Sequence, residues 1–100
     1  MPDEKTYMLL GLAFRARRLC TGSDACEIAV KKRKACLVIV AEDASDNTKK
    51  KYKNMCNYRN IEIIFWGEKD LLGKFTGKGL TTVAALTDEG FAKRFKEMLV

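Results

Sequence analysis

The sequence predicts an α/β fold, a three-layer αβα sandwich around a central mixed sheet of about four strands. Cys36-Leu-Val-Ile-Val-Ala41 is a continuous apolar, β-branched run without polar alternation, the pattern of a strand covered on both faces. Stretches with helical spacing alternate with such runs, so helices are available for both faces of the sheet. At 100 residues, with no linker, repeat or low-complexity segment, residues 1–100 read as a single domain with room for one core and one site.

Taken in order, Asp3 to Leu19 carries apolar residues at Tyr7, Leu9, Leu10, Leu12, Ala13, Phe14 and Ala16. It ends on arginines, where cations suit the helix dipole, and reads as a helix. Thr21-Gly-Ser-Asp24 breaks it and starts another. Ser23 or Asp24 is placed to cap a helix running to about Lys32, and Asp24 with Glu27 has the form of a capping box. After the Cys36–Ala41 strand, Glu42 to Thr48 is rich in cap and turn formers, and a third helix follows to about Asn57 with Tyr52, Met55 and Cys56 facing inward. Ile61 to Trp66 is a second clear strand closed by Gly67, Lys69 to Phe75 a short helix, and Thr81 to Leu86 a third strand. Asp88 caps a last helix in which Phe91, Phe95, Met98 and Leu99 share one face. The order is αβαβαβαβα-like.

Composition narrows the function. Hydrophobic residues at 47% with charged residues at 32% give the balance of a soluble globular domain. The apolar run Cys36 to Ala41 is far short of the roughly 18 residues of a membrane span, and the N-terminus is acidic, so no membrane partner is expected and a cytoplasmic setting is. Four cysteines contain no C-x-x-C pair and there is no histidine; no metal or cofactor is expected, and the thiols read as reduced and buried. Glu42 and Asp43 are the one candidate acid pair, but neighbours on a strand point to opposite faces. No phosphate-cradling glycine loop or activated nucleophile accompanies them, so the chain is expected not to be an enzyme.

Nineteen basic against thirteen acidic residues give a net charge of +6 and a pI near 9.3, which favours polyanionic partners. The basic residues cluster as Lys31–Lys34, as Lys49–Lys51 with Lys53, and as Arg15, Arg17 and Arg18. If the fold brings these runs together, they form a surface that attracts phosphate. Gly22 and Ser23, at a helix start with exposed amides, form either an ordinary cap or a docking point for nucleic acid. Asp24 is divided between cap and base acceptor. Phe65 and Trp66 either stack on bases or complete the core.

Four blocks then come into view: Gly11-Leu-Ala-Phe-Arg-Ala-Arg17; Thr21-Gly-Ser23; Ala35-Cys-Leu-Val-Ile-Val-Ala-Glu-Asp-Ala-Ser45 with Asn47-Thr-Lys-Lys-Lys51; and Asp70-Leu-Leu-Gly73. Together, over nearly the whole chain, they resemble the kink-turn-binding ribosomal-protein superfamily (L-seven-Ae and thirty-e type), closest to its bacterial YlxQ-type branch. The resemblance implies binding of kinked RNA helices. The start of the second helix would enter the groove beside tandem sheared G·A pairs, and the loop before the last strand would cover an extruded base.

Residue by residue, the resemblance places Gly22 on the glycine that lets backbone approach RNA, Ser23 on its hydroxyl position, Lys31 and Lys32 on positions that reach phosphate, and Leu80 on the apolar loop position. The family's base-reading Asn-Glu pair and the lysine that follows stand here as Asp24, Ala25 and Ile28. Asp24 can accept a hydrogen bond from a base amino group but repels phosphate, and Ile28 carries no charge. Arg33 replaces the glycine that usually ends this helix. The expected partner is structured RNA, a kink-turn or similar bent internal loop, bound by a monomer in a ribosomal or other ribonucleoprotein setting. The alternative is a protein-interaction or assembly module of the same fold with reduced RNA readout.

Overall fold

The computed structural model describes residues 3–100. Its elements in chain order are α1 (Glu4–Arg15), β1 (Leu19–Thr21), α2 (Ser23–Lys31), β2 (Leu37–Val40), α3 (Asp46–Tyr58), β3 (Glu62–Phe65), α4 (Lys69–Phe75), β4 (Val83–Leu86) and α5 (Glu89–Met98). The four strands form one mixed sheet in the order β1-β4-β2-β3, with β4 antiparallel to both β1 and β2, and β2 parallel to β3. Helices α1, α4 and α5 pack together on one face and α2 with α3 on the other, the three-layer αβα arrangement. The strand absent from the sequence reading is β1. Its three residues, Leu19 to Thr21, have the sequence of a helix end and turn, and a strand this short shows no period to detect.

Every residue of β2 and β4 is buried, as the unbroken apolar runs require of central strands. On one side of the sheet Trp66 packs 4.5 Å from the Tyr7 ring and edge-on to Phe95, and Tyr7 stacks on Phe75. Trp66 is thus a core residue, whereas Phe65 stays partly exposed at the sheet edge. On the other side lie Cys26, Tyr52 and Cys56, all fully buried. All four cysteines are free thiols. Burial pushes Cys26 up to about 12 and Cys56 up to about 11.

Two helix starts follow the sequence reading: Ser45 accepts from the Thr48 amide at 3.1 Å and Asp88 from the Phe91 amide at 3.0 Å. The start of α2 does not. Its cap is Gly22, no side chain caps it, and Asp24 and Glu27 form no capping box because the Glu27 carboxylate is held by Lys31 and Lys51 instead.

The ends of α1, α2 and α3 share one device. Arg17, Arg33 and Asn60 stand just past them with φ of 61°, 57° and 56°. The next residue's amide reaches back five positions in each case: Arg18 to Ala13 (2.8 Å), Lys34 to Ala29 (2.9 Å) and Ile61 to Cys56 (2.9 Å). These are left-handed helix stops, normally given to glycine or asparagine. An arginine held there costs on the order of 1 kcal/mol.

Candidate nucleic-acid interface

The sheet register gathers one set of loops at one end of the molecule. The Gly22 amide donates to the Val83 carbonyl (3.1 Å), the Ala41 amide to Thr82 (2.8 Å) and the Glu42 amide to Gly67 (2.8 Å). The ends of β1, β2 and β3 and the start of β4 therefore converge. Gly22 has φ 93° and ψ 155°, a region essentially restricted to glycine. A Cβ there would meet nothing within 4 Å, so the space outside it is open. The first amides of α2 lack a side-chain cap and lie on exposed residues, with the positive end of the helix dipole behind them.

Leu80 reaches the same end. Its loop is drawn close because Gly73 lies against the Gly79 carbonyl with no room for a Cβ, the Lys78 amide donates to Gly73 (2.8 Å) and the Thr81 amide to Lys69 (3.1 Å). Leu80 is left 65% exposed, three residues from the Val83 carbonyl that holds Gly22. An apolar side chain so exposed and so fixed is available to cover a flat apolar surface such as a base.

Behind the helix start stands a residue that the sequence marked only as core. Tyr52 of α3 donates its hydroxyl to the Ser23 carbonyl at 2.8 Å, and its oxygen lies 3.2 Å from Ser23 Oγ. Burial raises the Tyr52 hydroxyl above its usual range, keeping it a donor. Ser23 is exposed but its hydroxyl is engaged with α3, while Asp24 is exposed in the first turn. The only sequence signal for Tyr52 is general: a buried tyrosine needs a partner for its hydroxyl.

Lys31 and Lys32 are not with this group. They lie at the far end of α2, roughly 12 Å away at 1.5 Å per residue. Lys31 Nζ sits 3.0 Å from Glu27 Oε1 and Lys51 Nζ 3.0 Å from Oε2, so Glu27 bridges α2 to α3. Hydrogen bonds from Lys31 and Lys51 hold the Glu27 carboxyl below the usual range, and Glu27 in turn raises Lys51. Lys32 is exposed, with no ion pair among the described residues.

The three basic runs are not brought together. The Lys49–Lys51 run opens α3 beside the start of α2, but Arg15–Arg18 and Lys32–Lys34 lie at the opposite end. The Gly22 end also carries Glu42, Asp43, Asp46, Glu68 and Asp70, so its charge is mixed. Asp43 serves as a cap there, its Oδ1 accepting from the Lys69 amide at 2.9 Å. Among the described residues no group of three His, Cys, Asp or Glu is placed to hold a metal, and no helix is long and apolar enough to cross a membrane.

Residues 4–96 match the family model of the ribosomal protein L7Ae/L30e/S12e/Gadd45 family. The chain is 39% identical over 99 residues to the RNA-binding protein YlxQ of Bacillus subtilis, covering 99% of each. It is 36% identical over 96 residues to the RNA-binding protein YlxQ of Enterococcus faecium, covering 96% of this chain and 92% of that one. Among solved structures, a protein of unknown function from Bacillus halodurans superposes with a TM-score of 0.89 at 36% identity, over 95% of this chain and 96% of that one. The Giardia lamblia 15.5 kD RNA binding protein shares the fold, with a TM-score of 0.78 at 22% identity over 98% and 84%.

Proposed function

This chain belongs to the ribosomal protein L7Ae/L30e/S12e/Gadd45 family, and from that premise we propose that it is a non-enzymatic, cytoplasmic RNA-binding protein. In this reading it docks the open start of α2 on a kink-turn or similarly bent internal loop, as a monomer working with ribosomal or other ribonucleoprotein RNA. The observation that carries the reading is Gly22. It holds a glycine-only conformation, has open space outside it, presents the uncapped amides of α2, and shares its end of the molecule with the exposed Leu80. RNA helices hide their major groove, and non-canonical pairs open it to such an edge. Asp24 accepts from a base amino group, Leu80 covers an unstacked base, and Lys32 reaches phosphate farther along the groove, with Lys31 doing so when Glu27 releases it. The RNA-binding names of the 39% and 36% identical relatives support the reading.

A titration tests it. Affinity for a kink-turn duplex exceeds that for the same duplex with its tandem G·A pairs replaced by Watson–Crick pairs, and it falls steeply with salt. Equal affinity for the two RNAs refutes kink-turn recognition. A second reading, a protein-interaction module, has one observation in its favour. A groove of about 580 Å³ between α1, α4 and α5 is lined by Met8, Leu9, Leu12, Phe75 and Met98, with Met8 53% and Leu12 51% exposed. Lys5, Arg15 and Arg94 also line it, which suits an acidic amphipathic segment of a partner. In that case Met8→Asp abolishes partner capture and leaves RNA binding intact.

A further inference from the structure

The positive excess of this protein sits at the end opposite Gly22. The sheet register sets Leu19, Leu86 and Leu37 side by side there, the Arg18 carbonyl accepts from the Thr87 amide (2.9 Å) and the Cys36 amide donates to the Leu86 carbonyl (2.7 Å). The backbones of Arg18 and Cys36 thus flank β4, about 10 Å apart at two interstrand spacings. The C-terminal ends of α1, α2 and α3 all open here, and Arg33 Nη1 ties the last two by donating to the Arg59 carbonyl at 3.1 Å. They bring seven cations: Arg15, Arg17, Arg18, Lys32, Arg33, Lys34 and Arg59. None forms an ion pair among the described residues, and all but the half-buried Arg59 are exposed. Tyr58, 80% exposed, carries the Arg59 guanidinium over its ring at 5.3 Å.

Neutralising local charge does not account for them. The acids at this end are Asp88, Glu89 and Glu62. Asp88 caps α5 and Glu62 is paired with Lys96 at 2.9 Å. Three helix C-termini add about half a negative charge each, and the α5 N-terminus about half a positive one. Together with Asp88 and Glu89 that demand consumes about three of the seven cations and leaves a surplus of about four. Backbone conformation gives the same indication. Arg17 and Arg33 occupy left-handed positions where glycine is cheaper; Arg33 recovers part of that cost through its bond to the Arg59 carbonyl, whereas Arg17 makes no ion pair among the described residues, so local stability alone would not select arginine at that first position.

We propose that this end is a second RNA-contacting surface, which grips the phosphate backbone of an A-form stem without reading its bases. The two ends of α2 lie roughly 12 Å apart, so the surface, which shares only Lys32 with the proposed groove contact, engages RNA beyond that groove and does not depend on kink-turn docking at Gly22. Duplex RNA offers proteins chiefly its shape and phosphates, and cations on three convergent helix ends suit that target.

The test uses the full chain and a plain RNA duplex of about 16 base pairs with no internal loop. Arg17→Gly with Arg33→Gly removes two cations and relieves both left-handed positions while losing the exposed Arg33–Arg59 hydrogen bond, so the thermal midpoint stays close to that of the parent. Duplex affinity falls on the order of 10-fold at ~0.1 M salt, and the slope of log K against log salt falls by about 2. Arg18→Gln with Lys34→Gln, which alters no left-handed position, gives a comparable loss, and Lys50→Gln with Lys78→Gln, an equal loss of exposed charge at the Gly22 end, leaves duplex binding in place. Unchanged affinity and slope in the first two double variants overturn the proposal, since the cations then serve only the helix ends. An equal loss in Lys50→Gln/Lys78→Gln also overturns it, because binding then follows net charge and not this end of the molecule.

Discussion

Gly22 is the residue on which the proposed RNA docking rests. Its backbone lies where a side chain is strained whatever the space around it, and the space is open. Gly22→Ala should therefore cost about 1–3 kcal/mol in urea unfolding through backbone strain alone, with no clash to relieve. Asp24 carries two opposing effects. In the first turn of α2 its charge suits the helix dipole, whereas toward phosphate it is repulsive. Asp24→Asn should lower stability by ~0.3–1 kcal/mol and tighten RNA binding about 2- to 5-fold, the size of one charge repulsion across water. Fluorescence anisotropy beside thermal melts separates the two; unchanged binding would contradict the placement of Asp24 near RNA.

At the scale of elements, α2 is held in place from behind. Tyr52→Phe removes the hydroxyl shared by the Ser23 carbonyl and Oγ, and should cost about 1 kcal/mol while weakening RNA binding a few-fold through a looser helix start. Which elements were legible in the sequence follows from their physics. The β2 run announced burial on both faces, and the cap-rich Glu42–Thr48 stretch and Asp88 announced helix starts that the structure keeps, the first of them at Ser45. The start of α2 was misread because Asp24 and Glu27 match a capping box locally, while Glu27 is claimed by Lys51, twenty-four residues away. No local pattern encodes that contact, nor the Tyr52–Ser23 bonds twenty-nine residues apart. Gly22 stood out in the sequence as a helix-starting glycine. That it and Leu80 share an end follows from the β1–β4 register.

Over the whole molecule the same topology decides where charge lies. Three basic runs were visible in the sequence, but strand order sends two of them away from Gly22, and only the folded chain shows it. The two buried thiols give a further property of the whole fold. Burial holds Cys26 at about 12 and Cys56 at about 11, against roughly 8.5 in an unfolded chain. Above that lower value the unfolded chain sheds protons that the folded chain keeps. Stability is thus full below pH ~8.5 and declines above it, by up to ~1.4 kcal/mol per pH unit for each thiol. Urea unfolding between pH 7.5 and 9.5 should show the decline, and a Cys26→Ala/Cys56→Ala variant should flatten it; equal slopes would mean that the thiols titrate freely when folded.

In the proposed function RNA docks on the start of α2 beside the Leu80 loop. Backbone amide shift mapping of the full chain with a kink-turn duplex tests it most directly. The largest perturbations should fall on Gly22, Ser23, Asp24 and Leu80 and disappear with Gly22→Glu. Perturbations confined to the groove between α1, α4 and α5, with the Gly22 amide unmoved, would contradict it.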